Sequence, residues 1–120
     1  MPRRLLVAAI TVIVAVPLIA VAASPAATRP KPKTVKVGDD FFSPKKLTVK
    51  RNTKITWKWS ADNYDTHDVR LKKGPKGVKK FHSDLSASDY SFARTLTKPG
   101  KYVVICTIHA EMRQTIRVKR

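Results

Sequence analysis

The 120-residue chain has a single cysteine, Cys106, so it holds no internal disulfide and is not a disulfide-stapled scaffold. It is also poor in negative charge: 8 Asp and Glu stand against 25 Lys and Arg, giving a formal charge of +17. Beyond residue 23 no long hydrophobic run occurs. Nor does any convincing amphipathic helix; one helical turn within Ser83–Tyr90 is the most the pattern allows. Internal repeats are absent, and no nucleic-acid motif accompanies the basic charge.

What is present starts with a short basic segment containing Arg3 and Arg4, then an apolar run from Leu5 to Ala23 broken only by Thr11. The small residues Val21-Ala22-Ala23 fit a signal-peptidase site, so residues 1–23 read as a signal peptide cleaved after Ala23, with a second candidate site after Ala27. The alternative is an uncleaved anchor, because a run of this length suffices for a helix across a bilayer. Either way the remainder is expected outside the cytoplasm: periplasmic, secreted, or held at the cell surface by residues 5–23. No cysteine lies near this segment to carry a lipid. Residues 24–33, with Pro25, Pro30 and Pro32 among Ala, Thr and Lys, read as an extended linker, which leaves 34–120 as one small domain.

Export changes the meaning of both the thiol and the charge. A lone thiol in an oxidising compartment is a liability unless something occupies it, which points to a metal or to reactive sulfur chemistry. A strongly positive exported surface calls for anionic partners with a marked salt dependence: an acidic redox protein, anionic membrane headgroups or a cell-wall polyanion, and no nucleic acid. The cluster Lys72, Lys73, Lys76, Lys79 and Lys80 is either a solvated loop or the docking face for such a partner.

The domain itself is a string of strand signals. Val35 and Val37, Leu47 and Val49, Ile55, Trp57 and Trp59, Tyr102, Val104 and Cys106, and Ile116 and Val118 each alternate with other residues at a period of two. Asn52, Asp62-Asn63, Gly74-Pro75, Gly77 and Pro99-Gly100 supply turns between them. These signals describe an all-β sandwich of about seven or eight strands. The unbroken apolar run Val103-Val104-Ile105 marks a strand flanked on both sides, with Cys106 at its end and a loop beyond.

That loop carries thiol, imidazole and thioether at three-residue steps: Cys106, His109 and Met112. A tight loop can turn all three onto one point. A fourth donor has to come from elsewhere, and His67 is preferred over His82 because it directly precedes the apolar alternation of Val69 and Leu71. One Cys, two His and a weak Met are the donors of a trigonal copper site with a long axial thioether, whereas zinc gains little from Met. The competing readings are a buried structural thiol, or a nucleophile with His109 as its base, for which no further catalytic set assembles. Trp57 and Trp59 are expected in the core rather than in an electron relay.

The segment Pro99–Met112 resembles the C-terminal copper loop of the cupredoxins, the plastocyanin-like, amicyanin-like and pseudoazurin-like blue-copper proteins, with the Cys-x2-His-x2-Met spacing of the latter two. Phe42-Ser43-Pro44, Ile55-Thr56-Trp57, His67-Asp68-Val69 and Phe81-x-Ser83 are similar to earlier segments of the family, so the resemblance spans about Val35 to Val118. It implies a Greek-key β-sandwich and one copper per chain held by His67, Cys106, His109 and Met112. It further implies that His82 lies in solvent away from the metal, and that an exposed His109 edge in an apolar patch serves as electron port. Asp68 stands where many members have Asn, and it is expected to tie the two ligand loops together through Thr107. Gln114 stands where the family usually has Gly, and Glu111 where it commonly has Gly or Pro.

The functional expectation is a monomeric, exported, non-enzymatic protein that transfers single electrons by cycling Cu(II)/Cu(I). Its rivals are a copper carrier or sequestering protein with the same ligands, and a metal-independent module that binds anionic cell-surface polymer through its lysines.

Overall fold

In the computed structural model, residues 7–20 and 28–120 are described. The expected signal-peptidase sites after Ala23 and Ala27, and Arg3 and Arg4, lie outside them. Residues 7–20 have neither helical nor strand structure, and among the described residues no helix is long and apolar enough to cross a membrane.

The alternating segments form eight strands: β1 Lys33–Gly38, β2 Phe41–Ser43, β3 Lys46–Lys50, β4 Thr53–Trp59, β5 Arg70–Lys73, β6 Ser91–Leu96, β7 Gly100–Ile105 and β8 Arg113–Lys119. The first begins at Lys33, the last residue of the expected linker. No helical turn forms in Ser83–Tyr90, contrary to the most the pattern allowed. The backbone there is spent on pairing with the site loop instead, through Ser86 and His67.

Two four-stranded sheets result, ordered β2-β1-β4-β6 and β3-β8-β7-β5. The pairs β1/β4 and β3/β8 are parallel and the others antiparallel. The fold is thus the all-β, cupredoxin-like sandwich. In β4 the buried side chains Thr53, Ile55, Trp57 and Trp59 alternate strictly with outward ones, so one face of the strand meets the opposite sheet. β7 is flanked by β8 and β5, and its Tyr102, Val103 and Val104 are all buried, as expected for a strand apolar on both faces.

Trp57 is fully buried, and its ring lies 5.7 Å from Phe81 and 6.0 Å from Phe92. Its indole N–H donates to Gln114 Oε1 at 2.9 Å, and Gln114 Nε2 donates to Pro44 O at 2.8 Å. Gln114 is itself wholly buried, so the long amide bridges the two sheets where a glycine would leave the Trp57 indole N–H unmet. Burying apolar side chains such as Phe42, Ile55 and Leu71 stabilises the fold by about 1.5–3 kcal/mol each. Tyr102 donates its hydroxyl to Lys98 O at 2.7 Å and so fastens the β6–β7 turn to the core.

Strand directions follow from the register. β1, β4 and β7 end, and β2, β5, β6 and β8 begin, at the same end of the sandwich. Their connecting loops meet there, and Cys106 follows directly after β7.

Candidate metal centre

The loop from Cys106 to Met112 folds back on itself because Cys106 N donates to Met112 O and Met112 N donates to His109 O, both at 3.0 Å. Cys106 and Met112 are buried and His109 is half-buried. The loop after β4 is held as firmly. His67 exchanges backbone hydrogen bonds with Ser86 at 2.9 and 3.0 Å, and its carbonyl accepts from the Trp59 indole at 3.1 Å. Ser83 continues the clamp, since its hydroxyl accepts Val69 N at 2.8 Å and its own N–H donates to Val69 O at 2.8 Å.

These loops bring three donors together. His67 Nδ1 lies 3.2 Å from His109 Nδ1, and His109 Nδ1 lies 3.5 Å from Cys106 Sγ. On the outer side, His67 Nε2 is hydrogen-bonded to Asp39 Oδ1 at 2.9 Å, and His109 Nε2 faces Asp40 Oδ1 at 3.2 Å as an ion-pair contact. A neutral imidazole that donates its Nε2–H to a carboxylate presents a bare lone pair at Nδ1. At 3.2 Å the two Nδ1 atoms are close enough to share one proton, and their lone pairs are the ones a cation between the rings would take. The spacing agrees: a trigonal metal with bonds of about 2.0–2.3 Å separates its donors by roughly 3.5 Å. The donor set therefore fits a metal that takes sulfur and imidazole together.

Asp68 joins the two loops. Its carboxylate accepts Thr107 N at 2.7 Å, Thr107 Oγ1 at 2.5 Å and His82 Nε2 at 2.7 Å. Burial opposes the charge of Asp68, yet these hydrogen bonds outweigh it and hold the carboxyl below its ordinary value. His82 is half-exposed and away from the three converging donors. It is nonetheless not simply solvated, because it is paired with Asp68. Burial pushes the Cys106 thiol up, the opposite of what a nucleophile requires.

Asp39 and Asp40 were not singled out by sequence reasoning. They form the two-residue turn between β1 and β2, with Asp40 at a φ of 66°, a left-handed conformation that Asp tolerates better than most residues. Asp39 also accepts Tyr64 N at 2.9 Å and Asp65 N at 3.1 Å. The Tyr64 amide first, then the His67 ring, hold its carboxyl below the usual range.

The exposed edge of His109 faces Asp40 and, at 4.0 Å, Asp65, so it is not surrounded by an apolar patch alone. Ile108 beside it is exposed. The lysine cluster lies elsewhere. Lys72 and Lys73 project from β5, and Lys76 O accepts from Lys98 beside the Gly100 end of β7. Lys80 donates to Lys72 O. The six residues from Gly100 to Ile105 put about 20 Å between that end and Cys106.

Among solved structures, the chain is similar to a copper-containing nitrite reductase from Thermus scotoductus SA-01, with a TM-score of 0.66 and 30% identity over 83% of this chain. It spans only 25% of that longer chain. Amicyanin from Paracoccus versutus matches over 80% of this chain and 85% of its own, with a TM-score of 0.62 and 25% identity. A reduced Cu(I) form of an amicyanin variant shares the fold with a TM-score of 0.63, 22% identity and coverage of 82% and 86%. No curated protein sequence matches. The profile of the copper binding proteins, plastocyanin/azurin family, matches residues 32–119, the whole β-sandwich, and the chain belongs to that family.

Proposed function

We propose that this protein is an exported blue-copper carrier that passes single electrons between redox proteins. The observation that carries this reading is the convergence of His67 Nδ1, His109 Nδ1 and Cys106 Sγ, with the outer nitrogen of His67 hydrogen-bonded to Asp39 and that of His109 facing Asp40. His67, Cys106 and His109 would hold the ion, with Met112 as a weak fourth donor from the same buried loop. Copper, when bound, supplies a Cu(II)/Cu(I) couple that suits both sulfur and imidazole ligands.

The protein's own contribution is rigidity. The Cys106–Met112 loop is closed by its backbone, the His67 loop is pinned by Ser86 and Trp59, and Asp68 locks one loop to the other. Donors fixed in this way change little between oxidation states, and electron transfer then needs little rearrangement. His109 is the port in this reading, because among the three converging donors its ring alone reaches the surface. In this reading the protein acts as a carrier rather than an enzyme. The net charge of +17 favours an anionic neighbour for the basic flanks of the sandwich: an acidic protein, lipid headgroups or a cell-wall polymer.

The test is a visible spectrum of the purified protein after addition of Cu(II), followed by reduction. One equivalent should give an intense thiolate-to-copper band that bleaches on reduction and returns on reoxidation. Stoichiometric but colourless Cu(II) would reject the blue-copper reading and favour a copper carrier.

A further inference from the structure

The chain's negative charge is not spread over its surface. Four loop segments close the sandwich at the Cys106 end: 39–40, 60–69, 82–90 and 106–112. The third belongs to the β5–β6 connection and is drawn to this end by the His67–Ser86 pairing and by the hydrogen bond from Trp59 N to Tyr90 O at 2.9 Å. These four segments hold all 8 carboxylate residues of the chain and none of its 25 Lys and Arg. Of the eight, Asp68 alone is buried. The turns at the opposite end contribute Arg51, Lys76 and Lys98 and no acid. The molecule is therefore strongly polar along its long strands, with a negative loop end on a positive barrel.

A second observation selects the same end independently. Within residues 28–120 the exposed large hydrophobic side chains are Phe41, Tyr64, Leu85 and Ile108; Tyr64, Leu85 and Ile108 lie there, while the ring of Phe41 folds back over Gly38 toward Lys36. Each of the three is the chain neighbour of a residue at the site. Tyr64 precedes Asp65, and Ile108 precedes His109. Leu85 precedes Ser86, which pairs with His67. Tyr64 is 94% exposed, although exposing so large a ring gains nothing for a monomer. Apolar side chains gathered within a rim of one charge sign mark a protein-docking surface.

We infer that the loop end around His109 docks a redox protein whose own contact face is apolar and ringed by Lys or Arg. The inference rests on the electron-carrier reading above and adds the partner's charge. It also corrects what net charge alone predicts. A charge of +17 calls for an acidic partner, but net charge has no direction, and a partner that approaches His109 meets carboxylates first. The basic barrel stays free to face an anionic surface while the port points the other way. Near contact the local charges within a Debye length of about 8–10 Å dominate over the distant barrel.

The experiment maps backbone amide shifts of the full chain, copper-free and Cu(I)-loaded, against a lysine-rich c-type cytochrome and an acidic one at low salt. The lysine-rich protein should shift Tyr64, Asp65, Ile108 and Ala110, and the acidic one should not. Asp62→Lys, Asp84→Lys and Glu111→Lys together should slow association with the lysine-rich protein by about tenfold or more, with the difference shrinking as salt rises. Reversing Lys76 and Lys98 to Glu should not slow it. Equal shifts by both cytochromes, or an unchanged rate in the triple variant, would overturn the inference. So would concentration-dependent self-association that the triple variant abolishes, because the occupant would then be the basic barrel of a second copy. A protein that fails to turn blue yet keeps the charge-dependent mapping would reject the electron-carrier reading and leave the docking face standing.

Discussion

Asp39 Oδ1 lies 2.9 Å from Nε2 of His67, a ligand candidate 28 residues away. The carboxylate sits in a turn that the two loop amides of Tyr64 and Asp65 hold in place. A carboxylate on the outer nitrogen of a ligating imidazole fixes the tautomer and the ring plane, and strengthens the inner nitrogen as a donor. Asp39→Ala should therefore weaken copper binding by about 10–100-fold, the usual effect of losing such a partner. Asp39→Asn, which can still accept the Nε2–H, should recover part of the loss. Competition against a chelator of known affinity measures both, and equal affinity in all three proteins would mean that Asp39 merely shapes the turn.

The donor assignment makes a sharper demand on individual residues. Cys106→Ser should abolish the visible band while leaving the fold intact, since Ser fits the same buried position. His67→Ala should disrupt the spectrum and the affinity. His82→Ala should keep the band, even though His82 is tied to Asp68 and through it to Thr107. A normal spectrum in His67→Ala, or a lost one in His82→Ala, would show that the wrong histidine has been assigned to the metal.

Gln114 offers a test of the core that is separate from the metal. Its amide satisfies the buried Trp57 indole, which has no water to turn to, and also donates to the carbonyl of Pro44, an exposed residue. Gln114→Ala strands the buried Trp57 indole N–H and should cost about 1–3 kcal/mol in chemical denaturation of the copper-free protein. Gln114→Gly should do no better, despite the resemblance to relatives with glycine there. A loss below roughly 0.5 kcal/mol, the level of an ordinary surface substitution, would mean that solvent or a neighbour replaces the bond to Trp57.

The sequence made the strands and the sulfur–imidazole loop readable, because both are local. Period-two alternation in β4 and the three-residue steps from Cys106 to Met112 need no knowledge of the rest of the chain. His67 was accessible by its position ahead of Val69 and Leu71. The parallel pairings of β1 with β4 and β3 with β8 were not, since alternation says which face a residue takes and nothing about its neighbouring strand. Asp39 and Asp40 escaped for the same reason: only the β1/β4 pairing carries their turn to His67 and His109. Ser83–Tyr90 resembled a helical turn because its small polar residues suit one, but its backbone groups are taken by Val69, His67 and Trp59. The charge asymmetry was invisible for a simpler reason. The eight acids are scattered from residue 39 to 111 and meet only when the loops do.

Residues 5–23 are apolar apart from Thr11, follow two arginines and end in small residues, and this pattern favours export with removal after Ala23. The chain carries one cysteine, buried at the end of β7 and facing two imidazoles, so no second thiol is present to pair with it inside the chain. A copper site also suits a compartment where the cytoplasmic thiol pool does not compete for the metal. The mature protein should therefore be recovered outside the cytoplasm, with Ser24 as its first residue when sequenced from the N-terminus. Replacing Ala23 with a bulky residue such as Phe should block removal and shift the protein to the membrane fraction, because the apolar run would be retained. Recovery of the unaltered chain from the membrane with residues 5–23 in place would establish an anchor instead, and the copper domain would then be tethered at the cell surface through the 24–33 linker. A cytoplasmic chain starting at Met1 would contradict both, and would leave the thiol without the oxidising environment that this reading assumes.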